Sequence, residues 1–277
     1  MMDIFYENSM GERLNLLSPP YMLQTGEFFD YKWAYDIKEK KIGAFSKEIE
    51  DKPALLSILN YGKESYYDAI NHFSEVTEQD VLQQKYGKLY IGDMYLQCYI
   101  TASSKTDWEN DIELLDNEIT ITTDYPFWIK EHAYSFKTKD VTQTNNKRYA
   151  YRYAYRYANG LMNTAVINEH YTDCNFKMVV YGPITDPLVY IGGHPYLVNI
   201  ILTEGEYLEI DSAAETVVKV TAFGERVNAF HNRSFIHSVF EPVHPGRQLI
   251  GWSGRFDFDL TLYEERSEPK WGSRAAG

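Results

Sequence analysis

Hydrophobic and polar residues alternate with a period of two along most of the chain, the pattern of strands whose side chains point by turns to opposite faces of a sheet. In residues 94–103, Met94, Leu96, Cys98 and Ile100 fall on one face, while Tyr95, Gln97, Tyr99 and Thr101 fall on the other. Residues 88–91 precede this run across Gly92-Asp93, a pair suited to the positive φ of a tight turn, so the two segments predict a hairpin. The start of the chain reads similarly, with residues 4–6, a polar turn through Asn8, Ser9 and Gly11, and then residues 13–16. Residues 118–123 (EITITT) alternate and stop at Tyr125-Pro126, where proline has no N–H to add to a ladder.

One segment predicts a helix. Over residues 64–79, Tyr66, Ile70, Phe73 and Thr77 recur at i, i+4, i+7 and i+11 and share a stripe, with Asp68, Asn71, Glu75 and Glu78 turned away. This is the pattern of a lone helix lying on a sheet.

Residues 137–147 (KTKDVTQTNNK) are polar and aperiodic and read as a linker, so the first domain is expected to cover residues 1–136. In residues 148–160 (RYAYRYAYRYANG), Tyr149, Tyr151, Tyr153, Tyr155 and Tyr157 share one strand face and Ala150, Arg152, Ala154, Arg156 and Ala158 the other. The rest of an expected second domain, residues 148–277, is a series of short β-branched and aromatic runs at 176–181, 188–191, 196–202, 207–210, 217–222, 235–240, 248–252 and 256–263. Turn signals such as Gly192-Gly193 and Pro245-Gly246 separate them, which predicts a mainly β chain built as a sandwich or jelly roll.

Composition narrows the function. The 277 residues carry a net charge of −13, which argues against an adhesive nucleic-acid surface, since phosphate affinity comes mainly from Lys and Arg. An aromatic content of 16%, with 24 Tyr, sets the chain apart from disordered acidic sequences. Cys98 and Cys174 are too few for a disulfide framework or metal cluster and read as small buried hydrophobes. The opening MMDIFYENSMGERLN lacks a basic start and apolar run, and no stretch reaches the roughly 18 apolar residues of a membrane span, so folding in the cytosol is expected.

Chemical motifs are few. No glycine run has phosphate-cradling spacing. Gly251-Trp252-Ser253-Gly254 approaches a nucleophile elbow, but Arg255 stands where the closing glycine is required. His72, His132, His170, His194, His231, His237 and His244 form no helical pair or Cys/His ladder, although His231 and His237 could share a strand face. Asp257 and Asp259 would project about 7 Å apart on one strand face, a separation found in inverting glycosidases, yet Phe256, Phe258 and Leu260 make ordinary alternation the stronger reading. Asn232-Arg233-Ser234 matches the glycosylation sequon by chance in a chain without a secretory signal. The face of Tyr149, Tyr151, Tyr153, Tyr155 and Tyr157 is the strongest candidate contact surface, for a protein or a sugar, with a core or domain seam as the equal alternative.

Laid out this way, the chain resembles the distal tail proteins (Dit, tail hub) of long-tailed siphophages. The resemblance is carried by FYENSMGERLNL (5–16), GKLYIGDMYLQCYIT (87–101) and ITITTDYPFWIKE (119–131) in the first domain. In the second it is carried by the tyrosine-alternating segment, YGPITDPLVYIGGHPY (181–196), GEYLEIDS (205–212), PGRQLIGWSG (245–254) and FDFDLTLYEERSEPKW (256–271). Arg152 and Arg156 depart from the acidic residues or prolines expected between the tyrosines.

The resemblance implies an N-terminal β-sandwich with one helix that forms a homo-hexameric ring, and a C-terminal jelly-roll-like domain of galectin or carbohydrate-binding-module type. It further implies a structural, non-enzymatic virion protein at the distal tip of the tail, made in the host cytoplasm, with no cofactor, no catalytic residue and no membrane insertion. Its expected partners are the tail tube protein, the tail-tip hub protein and the tape-measure protein, with DNA as a passing, non-adhering neighbour in an acid-lined lumen. A cyclic ring needs one patch to meet a different patch on the next subunit, and strand edges serve that purpose. The 88–103 hairpin, with Tyr95 and Tyr99, is the candidate subunit interface. The competing reading is a carbohydrate-binding module or lectin-like receptor-binding protein that takes a host glycan; a glycosidase rests on Asp257 and Asp259 alone.

Overall fold

The alternating run that begins at Met94 becomes the strand around which the first half of the molecule is organised. The structure, a computed structural model, describes residues 3–59, 66–106, 108, 114–138 and 162–271. The chain divides into two compact units, one formed by Met1–Lys130 with Glu265–Gly277 and the other by Glu131–Glu264.

The first unit contains β1 (Ile4–Glu7), β2 (Arg13–Asn15), β3 (Leu17–Ser18), β4 (Tyr21–Gly26), β5 (Ala34–Lys38), β6 (Lys41–Ser46), β7 (Glu50–Leu59), α1 (Tyr66–Gln83), β8 (Gly87–Ile91), β9 (Met94–Thr106), β10 (Leu114–Thr123) and the start of β11 (Trp128–Phe136). Strand β9 serves two sheets. Met94 to Cys98 pair with β8, and Tyr95 and Leu96 also pair with β11, whereas Tyr99 onward pairs with β10. One sheet therefore continues from β9 through β8 and β1 to β2, the other through β10, β7 and β4 to β3, all antiparallel. Met94, Leu96 and Cys98 are fully buried, as their alternation predicts.

Helix α1 packs on β9 and β7 and is the only α-helix among the described residues. Its buried stripe is Ala69, Phe73, Val76, Thr77 and Asp80; Ile70 is half-buried and the side chain of Tyr66 lies outside the described set. The helix runs four residues beyond the predicted end because Asp80 is an anchor. The Tyr6 hydroxyl donates to Asp80 Oδ2 (2.5 Å) and the Ser9 amide donates to Oδ1 (2.8 Å), so a buried carboxylate is satisfied from β1 and the turn after it. Gly87 must be glycine here, since a Cβ would collide with the Tyr6 hydroxyl.

The second unit holds the end of β11 and β12 (Met162–Asn168), β13 (Asn175–Tyr181), β14 (Ile184–Thr185), β15 (Leu188–Ile191), β16 (His194–Leu197), β17 (Ile201–Leu202), β18 (Tyr207–Asp211), β19 (Thr216–Val220), β20 (Arg226–Asn228), β21 (Gly246–Trp252) and β22 (Phe258–Arg266). One sheet runs β20-β19-β18-β13-β22 and the other β12-β21-β15-β16. Side chains of both meet in one core, with Phe176, Leu208 and Leu260 from the first and Val166, Val189 and Ile250 from the second, which is a β-sandwich.

The unit boundary follows packing. Phe136 stacks on Phe258 at 4.4 Å and belongs to the second core, while residues beyond Glu264 return to the first unit. There the Tyr125 hydroxyl donates to Glu265 (2.6 Å) and Trp271 stacks on Phe29 at 4.1 Å. The predicted strand at 235–240 is absent. Ser234 and Ser238 hydroxyls accept the amides of Ile236 (3.3 Å) and Phe240 (3.1 Å), local bonds that replace a ladder and leave Phe235 and Ile236 exposed. The expected run 196–202 is divided between β16 and β17.

Candidate functional site

The candidate interface tyrosines have unequal surroundings. Strand β9 is flanked by β8 and β11 where Tyr95 sits, so Tyr95 is only 5% exposed, with the Tyr90 ring 5.5 Å away and Lys88 Nζ 4.1 Å above its own ring. Tyr99, past the point where β9 changes sheets, is half-buried beside Tyr86 at 4.9 Å. The Tyr86 hydroxyl donates to Asp124 (2.6 Å), and that bond to a carboxylate pushes its pKa up to about 12. Tyr149, Tyr151, Tyr153, Tyr155 and Tyr157 lie outside the described residues, as does residue 139 onward of the expected linker.

The two carboxylates that resembled a glycosidase pair are committed to structure. Asp259 accepts from the Ser135 hydroxyl (2.6 Å) and the Tyr181 hydroxyl (2.7 Å), and Asp257 accepts from the Thr138 amide (2.6 Å). Burial and then the Asp259 bond push the Tyr181 hydroxyl up to about 12; the Thr138 amide holds Asp257 below its ordinary value. A catalytic acid needs a raised pKa, and Asp257 is shifted the other way.

Two of the histidines meet, the His194 and His237 rings lying edge to face at 5.8 Å, and the others are dispersed. His132 faces Glu264 (3.0 Å), His244 faces Asp173 (2.8 Å), which raises its pKa, and His194 reaches the Ser238 carbonyl (2.7 Å). His231 lies in a 3-10 turn and His237 in a bend, so they share no strand face. Among the described residues no group of three His, Cys, Asp or Glu is placed to hold a metal ion. Cys98 and Cys174 are buried thiols outside any disulfide, Cys174 Sγ donating to Asn168 Oδ1 (3.1 Å), and burial pushes the Cys98 thiol up to about 12.

Four exposed large apolar side chains of the first unit lie together on a hairpin that alternation alone did not predict. Among the described residues, strands β5 and β6 pair only with each other, and nearly every residue on them is exposed. Tyr35 lies opposite Phe45 and Ile37 opposite Ile42, with a bulge at Gly43 restoring the parity that puts all four on one face. They are 55–70% exposed. The turn is made by Glu39 and Lys40, both with positive φ (49° and 63°), as a two-residue hairpin loop demands. Four lysines (32, 38, 40 and 41) stand against Asp36 and Glu39, a surplus of positive charge on a chain of net charge −13. Alternation of Tyr35 and Ile37 was the available signal, obscured by a lysine-rich turn without Asn or Gly.

Among the described residues the chain is mainly β, with one α-helix, an exposed apolar hairpin and a β-sandwich in the second unit, a fold shared with solved phage tail-hub and baseplate structures. The solved structures it matches make this concrete. One is the crystal structure of SPP1 Dit (gp 19.1), described as a paradigm of the hub adsorption apparatus in phages that infect Gram-positive bacteria, with a TM-score of 0.57 at 10% identity, covering 96% of this chain and 99% of the other. Two more are the phage p2 baseplate in its activated conformation with Sr (TM-score 0.62, 13% identity, 97% and 100% covered) and with Ca (TM-score 0.62, 12% identity, same coverage). No family model and no curated protein sequence matches the chain.

Proposed function

We propose that this protein is a structural, non-enzymatic hub of a phage tail, assembled as a homo-hexameric ring at the distal tip between the tail tube and the tail-tip proteins. The observation that carries this is the end-to-end likeness to SPP1 Dit and to the p2 baseplate, since both units are matched and almost nothing is left over on either side. In this reading the first unit forms the ring and the second faces outward. The tape-measure protein and then DNA pass through the lumen, whose walls are acidic so that DNA slides without adhering.

The β5–β6 hairpin supplies the contact that a ring requires. A two-stranded hairpin with one bare apolar face is marginal in water, and such a face is the mark of a docking surface. Its occupant is a second copy of this chain, because a basic finger on an acidic protein is attracted to any other copy, and a finger meeting a different patch is the heterologous contact from which rings close. Electron micrographs and mass photometry of the purified protein test the proposal. Six-fold rings with a central hole are expected; a monomer at tens of micromolar, with no ring in the presence of tail-tube protein, would overturn it.

A further inference from the structure

The exposed hairpin leaves the body of the first unit through a root built on two buried lysines. At the exit, the Lys47 side chain is 2% exposed, and its ammonium lies 5.6 Å from the Tyr31 ring, 5.3 Å from Trp33 and 5.1 Å from Phe127. It donates to the Pro126 carbonyl (2.9 Å) and lies 3.6 Å from Glu50. At the entrance, Lys52, 4% exposed, donates to the Asp30 carbonyl (2.7 Å) and pairs with the other oxygen of Glu50 at 3.2 Å. Trp33 joins the two sides, touching Phe45 of the hairpin at 6.4 Å and Phe127 of the body at 5.9 Å.

This arrangement is not what stability alone would select. Glu50 is already balanced by Lys52, so Lys47 is a surplus cation held among rings, where a methionine of similar length would fit without desolvating a charge. What the cation adds is direction. Ring faces attract an ammonium, a carbonyl accepts from it, and all these partners must converge on one point, which an apolar side chain does not require. Tyr31 and Trp33 come from one leg of the hairpin and Lys47 from the other, so the attraction ties the legs to each other and to the body.

We propose that Lys47, Glu50 and Lys52 form a clasp that fixes the pose of the β5–β6 hairpin, so that it meets a second copy of the chain as a rigid finger. Lys47 is the positioning residue: it touches no partner and acts through the direction it gives to Tyr35, Ile37, Ile42 and Phe45. The use of the finger rests on the hub reading above, but the clasp itself does not.

Three full-length variants are compared with the parent: Lys47→Met, Lys47→Arg and Phe127→Leu, the last removing a wall of the cage in case Lys47→Met fails to fold. The readouts are thermal melting, hydrogen exchange of residues 31–46, trypsin cleavage at Lys38, Lys40 and Lys41, and mass in solution. Lys47→Met is expected to melt no lower than the parent, yet to exchange the hairpin amides about tenfold faster, in keeping with the loss of cation–π contacts. It is also expected to be cut faster and to lose rings, with Lys47→Arg restoring all three. Unchanged hairpin exchange in both Lys47→Met and Phe127→Leu would overturn the clasp. A loosened hairpin that still closes rings would overturn its role in docking. A parent that forms no ring would overturn the hub reading, and the exchange data would still decide the clasp.

Discussion

The first unit contains two hairpins of similar length with opposite surroundings. In β8–β9, Met94, Leu96 and Cys98 are wholly buried, β11 and β10 extend the sheet, and the turn is Gly92-Asp93 with Gly92 at φ 62°. In β5–β6, four large apolar side chains are exposed, no third strand joins among the described residues, and the turn places two residues with side chains at positive φ. The contrast shows that an apolar face on a hairpin states a need for cover without saying where the cover comes from. One hairpin is completed within the chain. The other has the composition of a completed hairpin and, among the described residues, no cover.

The sharpest test of that contrast is a matched pair of charges. Tyr95→Asp buries a carboxylate beside Tyr90 and is expected to cost roughly 3–5 kcal/mol in urea unfolding, whereas Tyr35→Asp is expected to cost less than about 0.5 kcal/mol and to abolish rings in mass photometry. Equal unfolding costs would erase the distinction. Next in size, Ile37→Ser or Phe45→Ser is expected to weaken self-association by about 1.5–3 kcal/mol, read from sedimentation at several concentrations, with the melting temperature unmoved. Smaller again, Glu39→Asn combined with Lys40→Gly relieves two left-handed backbone positions and is expected to stabilise the finger by about 1–2 kcal/mol, seen as slower amide exchange in residues 34–46.

The smallest effects are those of pH, and they fall at opposite ends of the scale. The Asp93 carboxyl is held below 3.8 by Lys130, 2.5 Å away, so its contribution to the β8–β9 turn is present above that value and is lost as pH falls through the lowered one. Lys47 is lowered from 10.5 chiefly by burial, with Glu50, Lys52 and Tyr31 as the titratable groups facing it among the described residues. Between its lowered value and 10.5 the unfolded chain binds more protons, so stability rises with pH in that window. Thermal melts of the parent and of Lys47→Met from pH 7 to 10.5 check this: the rise is expected in the parent alone.

Where the hydrophobic period was unbroken, the fold could be read from residues. Strand β10, the β1–β2 turn and the β8–β9 hairpin follow from alternation and turn chemistry, and α1 from its stripe. Where the period was interrupted, it could not. The bulge at Gly43 and the lysine-rich turn hide β5–β6, and Lys52-Pro53 within β7 imitates a loop although the strand pairs on both sides. The run FIHSVF has strand composition, yet its Ser238 and the preceding Ser234 accept nearby amides instead. For the candidate site the limit is of another kind. Alternation separates the two faces of β9, but only tertiary packing decides that the face of Tyr95 is also covered. The Asp257 and Asp259 spacing is real, and Thr138, Ser135 and Tyr181 use it.

The chain enters the second unit along β11 and comes back along β22, its neighbour in the sheet, and Glu265 is already bonded to Tyr125. The second unit is thus an insertion, spliced between two adjoining strands of a host that keeps both flanks of the sequence. A cassette held in that way can be exchanged, enlarged or excised with a short turn in its place, and the host retains every strand it needs to fold. Change in the second unit can then proceed without disturbing how the first unit is built.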